Sequence, residues 1–167
     1  MVSHCKKTLN AVQTDIERIE QAIEQVVKED SQLSEQCTLA TSVPGIGTIT
    51  ALNMIVATSE FKRIAEAKKF ACYAGVAPFE HTSGSSIRGR TRVSKMANMT
   101  LKKLLHLAAM SAIQYCEEMK AFYQRKVAAG KNKMSVINAV RNKLISRVFA
   151  CINNKRMYQK IYQNALA

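Results

Sequence analysis

A chain of 167 residues is long enough for one ordinary domain with an appendage and too short for two full-sized domains. With 47% hydrophobic and 22% charged residues, only two prolines and six glycines, it is neither disordered nor fibrous, and it is rich in helix formers. Its 25 basic and 12 acidic side chains leave a net charge of +13, which points to a polyanion partner, nucleic acid before acidic membrane.

The charge is unevenly placed. Residues 1–40 carry a net of −3 and residues 41–167 a net of +16, so an acidic front and a basic body are expected to do different jobs. The five cysteines (Cys5, Cys37, Cys72, Cys116, Cys151) include no close pair for a zinc knuckle or a redox dithiol. An odd count argues against a secreted disulfide framework and for single thiols on helix faces in a reducing cytoplasm.

The first segment has the clearest period. Cys5, Leu9, Val12, Ile16, Ile19, Ile23, Val26, Asp30, Leu33 and Cys37 follow alternating spacings of four and three. That is a coiled-coil seam about 50 Å long at helical rise, with Asp30 as a polar residue that fixes register or strand number. It predicts one helix over residues 1–38 that pairs with a second copy, or else folds back as half of a helical hairpin. No second heptad run of that length is available in the chain, which favours self-association.

The uncharged stretch Cys37 to Ser59 contains Pro44-Gly45-Ile46-Gly47 and seven Ser or Thr residues, so it reads as two helices joined by a turn and not as a membrane span. The pattern looks like a helix-hairpin-helix motif, with Ala51 facing its partner helix. The amides of Pro44-Gly45-Ile46-Gly47-Thr48 and of the next helix start are candidate phosphate contacts, with a plain interhelical turn as the alternative. Glu60-Phe61-Lys62-Arg63 is expected to open a short helix ending near Gly75. A long Ser/Gly/Arg passage from Glu80 to Lys95 follows, and it is expected to be a basic loop. Within it, Arg88, Arg90 and Arg92 alternate as they would on one face of an extended strand.

Asn98 can cap a strong helix that buries Met99, Leu101, Leu104, Leu105, Leu107, Ala108 and Ile113. Lys102 and Lys103 stand in its first turns against the helix dipole, an arrangement that an external anion would relieve. His106 reads as a helix histidine with no metal partner at ligand spacing. A helix over about 117–129 stops at Gly130. The last long helix, about 133–153, is expected to turn Val136, Ile137, Val140, Leu144, Ile145, Val148 and Ile152 inward and Arg141, Lys143 and Arg147 outward, with one more turn near Tyr158–Tyr162.

What is missing narrows the chemistry. Asp occurs only at Asp15 and Asp30, and the basic body holds only Glu60, Glu66, Glu80, Glu117 and Glu118. A two-metal nuclease site, which needs several converging carboxylates, cannot be assembled there, so no metal or other cofactor is assigned to this chain. A serine in an Arg-rich loop can attack a phosphodiester if cations stabilise the added charge. Spacing does not rank Ser83, Ser85 and Ser86.

The stretch from about Leu39 to Tyr158 resembles the C-terminal transposase domain of the pilin-invertase (Piv-like) insertion-sequence transposases, also known as bridge-RNA-guided recombinases. The residues that carry the resemblance are Ser42-Val-Pro-Gly-Ile-Gly47, Phe70-Ala-Cys-Tyr-Ala-Gly75-Val-Ala-Pro78, Ser83-Gly84, Arg88-Gly89, Ser94-Lys95 and Asn98 followed by Leu101. Ala97 departs from the pattern, where Gly is usual, as do Lys102-Lys103, where Arg is common. The resemblance implies a helical domain with Ser83 as nucleophile. It also implies an N-terminal resolvase-like domain that bears an acidic divalent-metal site and is joined through a coiled coil. DNA and a guide RNA would be the partners, in the bacterial cytoplasm.

These readings combine into an all-α protein: a coiled-coil helix over 1–38, then a helical domain over 39–167 with a helix-hairpin-helix motif and a long basic loop. The function expected is a DNA transposase or recombinase fragment, inactive without the acidic domain, that forms a homodimer or higher homo-oligomer through the coiled coil. Ser83 is its nucleophile, and Pro44 to Thr48, Arg88, Arg90, Arg92, Lys95, Lys102 and Lys103 bind nucleic acid. The alternative is a non-enzymatic helix-hairpin-helix binding module.

Overall fold

The computed structural model describes residues 2–79, 82–83, 87–88, 92–93 and 97–159. The chain divides into two units, Met1–Glu35 and Gln36–Ala167.

The first unit is built on α1 (Val2–Glu29). Its surface carries local pairs one turn apart, Lys28 with Glu24 at 3.4 Å and Gln25 with Glu29 at 2.9 Å, which contribute a few tenths of a kcal/mol each. The seam residues Leu9, Val12, Ile16, Ile19, Ile23 and Val26 are all exposed. The helix does not run unbroken to residue 37. It stops at Asp30, whose Oδ1 accepts hydrogen bonds from the amides of Gln32 (2.8 Å) and Leu33 (3.0 Å) and so caps a new helix, α2 (Ser31–Thr41). The residue expected to tune a coiled-coil seam is a helix cap, because an aspartate satisfies orphan amides better than it tolerates an apolar seam.

In the second unit, the end of α2 is followed by α3 (Thr48–Thr58), α4 (Ala67–Tyr73), four two-residue strands, α5 (Met99–Tyr115), α6 (Glu117–Ala128) and α7 (Lys133–Asn154). The class is all-α, with seven helices among the described residues. The strands β1 (Pro78–Phe79), β2 (Thr82–Ser83), β3 (Ile87–Arg88) and β4 (Arg92–Val93) form two short antiparallel ladders, β1 with β4 and, nested between them in sequence, β2 with β3. The passage expected to be a loop therefore contains local pairing.

Helix α7 packs against α4, α5 and α6, and α5 packs in addition against α3 and α6. Leu101, Leu105, Met119, Val140, Leu144, Ile145 and Val148 are fully buried between them. Phe149 lies edge-on to Phe61 at 5.1 Å between ring centroids and 5.4 Å from Phe70, an aromatic cluster that holds α7 to the α3–α4 connection. Asn98 caps α5 by accepting from the Leu101 amide at 3.1 Å, as the sequence predicts. Asn132 caps α7 in the same way, accepting from the Met134 amide at 3.0 Å. Each cap contributes about 1 kcal/mol.

Four local expectations are corrected. Residues 59–63 are turns and not the start of a helix: Ser59, Glu60 and Phe61 all have left-handed backbone (φ 49°, 60° and 60°), which drops the Phe61 ring into the core. Met99 and Leu107 are exposed, because the buried arc of α5 centres on Leu101, Leu105, Ala108 and Ala112. Arg141 is buried at 7% exposure and not outward, since it continues the Ile137–Leu144–Val148 stripe, and Arg147 is mostly covered by its ion pair. Residues 156–159 form no further helical turn, and the rest of the expected turn lies outside the described residues.

Candidate nucleic-acid interface

The turn between α2 and α3 is anchored by Val43 and Ile46, both buried, and closed by a hydrogen bond from the Ile46 amide to the Val43 carbonyl at 3.0 Å. Its two glycines differ in role. Gly45 has φ +93°, and a Cβ there would lie 2.6 Å from the Ala108 carbonyl oxygen and 2.8 Å from the Ala112 Cβ. Glycine is required at this position so that the turn can seat on α5, both by conformation and by contact. Gly47 is exposed, has ordinary extended backbone, and would place a Cβ in open space. It occupies the N-cap position of α3 with no side-chain cap, next to the exposed Thr48 and Ile49. The initial amides of that helix are the donors an anion would use, and the helix dipole adds to their pull.

The two ladders start from a rigid base. The Asn98 amide donates to the Tyr73 carbonyl at 3.0 Å, and the Asn98 side-chain amide reaches the Tyr73 hydroxyl at 3.3 Å. Gly75 (φ +64°) lies directly under Ala97, whose Cβ would be 2.2 Å from any Cβ at position 75. The Val76 carbonyl accepts from both Asn138 (2.7 Å) and Asn142 (3.2 Å), one turn apart on α7. The segment just before β1 is therefore held to α7 through Val76 and to the start of α5 through Tyr73 and Gly75. Above this base, β1 pairs Pro78 with Val93 and Phe79 with Arg92, and β2 pairs Thr82 with Arg88 and Ser83 with Ile87. Ser83 and Arg88 thus belong to the same ladder, one register position apart, and Arg92 belongs to the other. Ser85, Ser86, Arg90 and Lys95 lie outside the described residues.

Lys102 is half-buried, its aliphatic stem 3.7 Å from the Gly75 Cβ position, and Lys103 is exposed. No acid stands in the first turn of α5 to offset them. Helix α5 thus carries the ladder base near Asn98 and the α2–α3 turn near Ala108 to Ala112, about 15–20 Å apart along its axis.

Two arginines of α7 were not legible as site residues. Arg147 pairs with Glu118 and stacks on Tyr158, at 4.9 Å from its ring centroid, while the Tyr158 hydroxyl reaches Glu118 at 3.1 Å. These groups line a cleft of about 660 Å³, and the Tyr158 amide, donating to Ser42 Oγ at 2.8 Å, ties the tail to the α2–α3 turn. Arg141 instead donates to His106 Nδ1. Burial, with the Arg141 charge beside it, lowers the His106 pKa below its ordinary value, so the imidazole is neutral and accepts at Nδ1. The i, i+4 repeat of Asn138 and Asn142 was the one sequence signal that α7 serves the ladder base.

Among the described residues no three His, Cys, Asp or Glu side chains gather to hold a metal ion, and no helix is long and apolar enough to cross a membrane.

The sequence profile of the IS116/IS110/IS902 transposase family matches residues 37–124, a span that holds the α2–α3 turn, both ladders and all of α5. The chain belongs to this transposase family. It is 28% identical to the pilin gene-inverting protein of Moraxella bovis over 146 residues, 87% of this chain and 45% of that protein. It is 24% identical to the transposase for insertion sequence element IS1111A of Coxiella burnetii, covering 92% of this chain and 44% of that protein. An uncharacterized 43.6 kDa protein of insertion element IS110 from Streptomyces coelicolor is 29% identical over 119 residues, 71% of this chain and 29% of that protein. The chain spans less than half the length of these relatives.

Proposed function

We propose that this transposase-family chain is the part of a DNA recombinase that grips DNA and presents a serine nucleophile, Ser83, for strand exchange in insertion-sequence transposition or site-specific inversion. The observation that carries the reading is the family match over 37–124, because that span contains both ladders and the Tyr73, Gly75, Val76 and Asn98 part of their base. A nucleophile that attacks a phosphodiester must be held to within a fraction of an ångström, and Asn98, Asn138 and Asn142, by fixing Tyr73 and Val76 just before β1, give the ladders a firm starting point.

In this reading Arg88, Arg90 and Arg92 stabilise the charge that builds up on the phosphate, with Lys95, Lys102 and Lys103 beside them. The turn from Pro44 to Thr48 works as a helix-hairpin-helix clamp on the backbone. Its distance of about 15–20 Å from the ladder base corresponds to some five base-pair steps of DNA, so one duplex can touch both. A serine hydroxyl needs a group to take its proton, and the two carboxylates of α6, Glu117 and Glu118, do not make a metal site. The acidic, divalent-metal part of the reaction is assigned to a resolvase-like domain N-terminal to this region, with a guide RNA choosing the site. The bare apolar stripe of α1 pairs with a second copy as a coiled coil.

The test is covalent capture. Supplied with the acidic domain and a guide RNA, the protein should form a protein–DNA adduct that maps to Ser83 and disappears in Ser83→Ala while DNA binding persists. An adduct unaffected by Ser83→Ala would remove the serine from the chemistry, and DNA binding without any adduct would favour a plain binding module. The 167-residue chain by itself should bind DNA without cutting it.

A further inference from the structure

We infer that Arg141 and His106 form a second phosphate-binding subsite, set in the α5–α7 seam beside the ladder base, for a phosphodiester of the nucleic acid held by this chain. The inference rests on the DNA-binding reading above and adds a contact that the surface motifs do not contain.

The two α7 arginines show why. Both are largely covered, yet Arg147 is neutralised by Glu118 and supported by Tyr158. Arg141 has no carboxylate partner among the described residues. Among the described residues its guanidinium meets only His106, and its Nε is buried with no hydrogen-bond partner; one Arg147 Nη is buried without a partner as well, so it is the missing counter-ion that sets Arg141 apart. A guanidinium keeps its charge in proteins, so a protein that buries one with neither a counter-ion nor full hydrogen bonding leaves a deficit that an anion can fill. Planar guanidinium groups bind phosphate oxygens through two N–H groups at once, which a lysine cannot do.

His106 fits the same use. Because its Nδ1 accepts from Arg141, its proton sits on Nε2, and that N–H can donate to a ligand, the residue as a whole being half-buried. Lys102 is one turn before His106 on α5, and Asn138 and Asn142 flank Arg141 on α7 while holding the Val76 carbonyl. Lys102, His106 and Arg141 thus supply three donor-bearing side chains on the two helices that hold the segment before β1. Among the described residues of α5, no acidic side chain competes for them.

The experiment uses the 167-residue chain with three probes: a short mixed-sequence DNA duplex, dimethyl phosphate, and inorganic sulfate at matched ionic strength. The imidazole Hε1–Cε1 resonance of His106, assigned with His106→Gln, is followed at constant pH beside duplex affinity from fluorescence anisotropy. With the duplex it should shift saturably over the range in which anisotropy rises, and with dimethyl phosphate it should shift in the same direction. Arg141→Gln should weaken duplex binding about tenfold and reduce the salt slope by about one. A His106 resonance that stays fixed while the duplex saturates would overturn the subsite and leave the DNA-binding reading intact. That measurement is made on the unaltered chain, so it decides the matter even if Arg141→Gln fails to fold. If no duplex binds at all, the reading itself fails and dimethyl phosphate decides the pair alone. A shift with sulfate only would mark a free-anion site and overturn the phosphodiester assignment.

Discussion

Helices α1 and α5 both carry an apolar stripe, but only one of the two is used inside its own unit. In α5, Leu101 and Leu105 are 1% and 0% exposed, and alanines at 108, 109 and 112 let neighbouring backbone come close. In α1, Leu9 and Ile19 remain 67% and 61% exposed along a regular seam. The period is the clearer in α1, the helix whose stripe is left bare, so periodicity alone does not tell a filled face from a waiting one. The difference lies in residue size. A stripe built to receive a turn or a crossing helix mixes large and small side chains, whereas a stripe of repeated Ile, Val and Leu suits an equivalent helix lying along it.

The largest effect should come from the filled face. Gly45→Ala must displace either the Ala108 carbonyl or the Ala112 methyl and also adopt a φ that L-residues avoid. A loss of about 3 kcal/mol or more is expected in urea unfolding, similar to truncating a buried leucine. Gly75→Ala should do the same through its collision with Ala97. Gly47→Val, two residues from Gly45, should cost only about 1 kcal/mol, for a poorer N-cap, yet weaken DNA binding. If Gly45→Ala proved as mild as Gly47→Val, the seating of the turn on α5 would be wrong.

The bare face should respond differently. Ile19→Asp with Ile23→Asp is expected to leave the unfolding of residues 36–167 unchanged and to convert an oligomer to a monomer in sedimentation, each buried isoleucine being worth roughly 1.5–3 kcal/mol across the seam. A wild-type chain that sediments as a monomer at tens of micromolar would refute the self-association of α1.

Much of the contrast was legible in the sequence. The seam of α1, the cap Asn98 and the stop at Gly130 follow from local rules acting on local residues. Three features escaped, one through a competing local role and two because they depend on tertiary partners. Asp30 sits in a seam by count but acts as a cap by chemistry. Arg141 looks outward by charge but inward by position, and its stripe position won because α7 is enclosed by three helices. Gly45 and Gly47 look equivalent in a Gly-x-Gly pattern, and only the neighbouring α5 separates a packing glycine from an exposed one.

Acid should act on the filled unit through two groups. The His106 pKa is lowered by burial and by Arg141. A histidine whose folded pKa lies below its unfolded one gives stability that is present above the unfolded value and lost as pH falls through the folded one. Stability of the wild-type chain should therefore decline as pH drops below about 6.5. Glu118 is pushed up by burial but lowered more by the hydrogen bond and charge of Arg147, with Tyr158 and Lys143 adding to this. Its share is lost at lower pH still, below the ordinary carboxylate range. Arg141→Gln should flatten the first decline and leave the second. A pH profile identical in the variant would mean that Arg141 does not set the state of His106.

The smallest expected effect is a gain. The residues Ser59, Glu60 and Phe61 form three successive left-handed positions, none of them glycine. Each costs about 1 kcal/mol relative to right-handed backbone. The run persists because it places the Phe61 ring, 6% exposed, against Phe149, and because the buried Thr58 hydroxyl accepts the Phe61 amide at 2.9 Å. Ser59→Gly removes one of these penalties without touching the ring or that hydrogen bond, but it also loosens the unfolded chain by a comparable amount. The two nearly cancel, and a rise of about 0.5 kcal/mol or less is expected in urea unfolding. Phe61→Gly would remove the same backbone penalty together with the ring that justifies it, and should cost about 3 kcal/mol. If both substitutions destabilised to the same degree, the left-handed run would be a consequence of its side chains' contacts at every position and not of Phe61 alone.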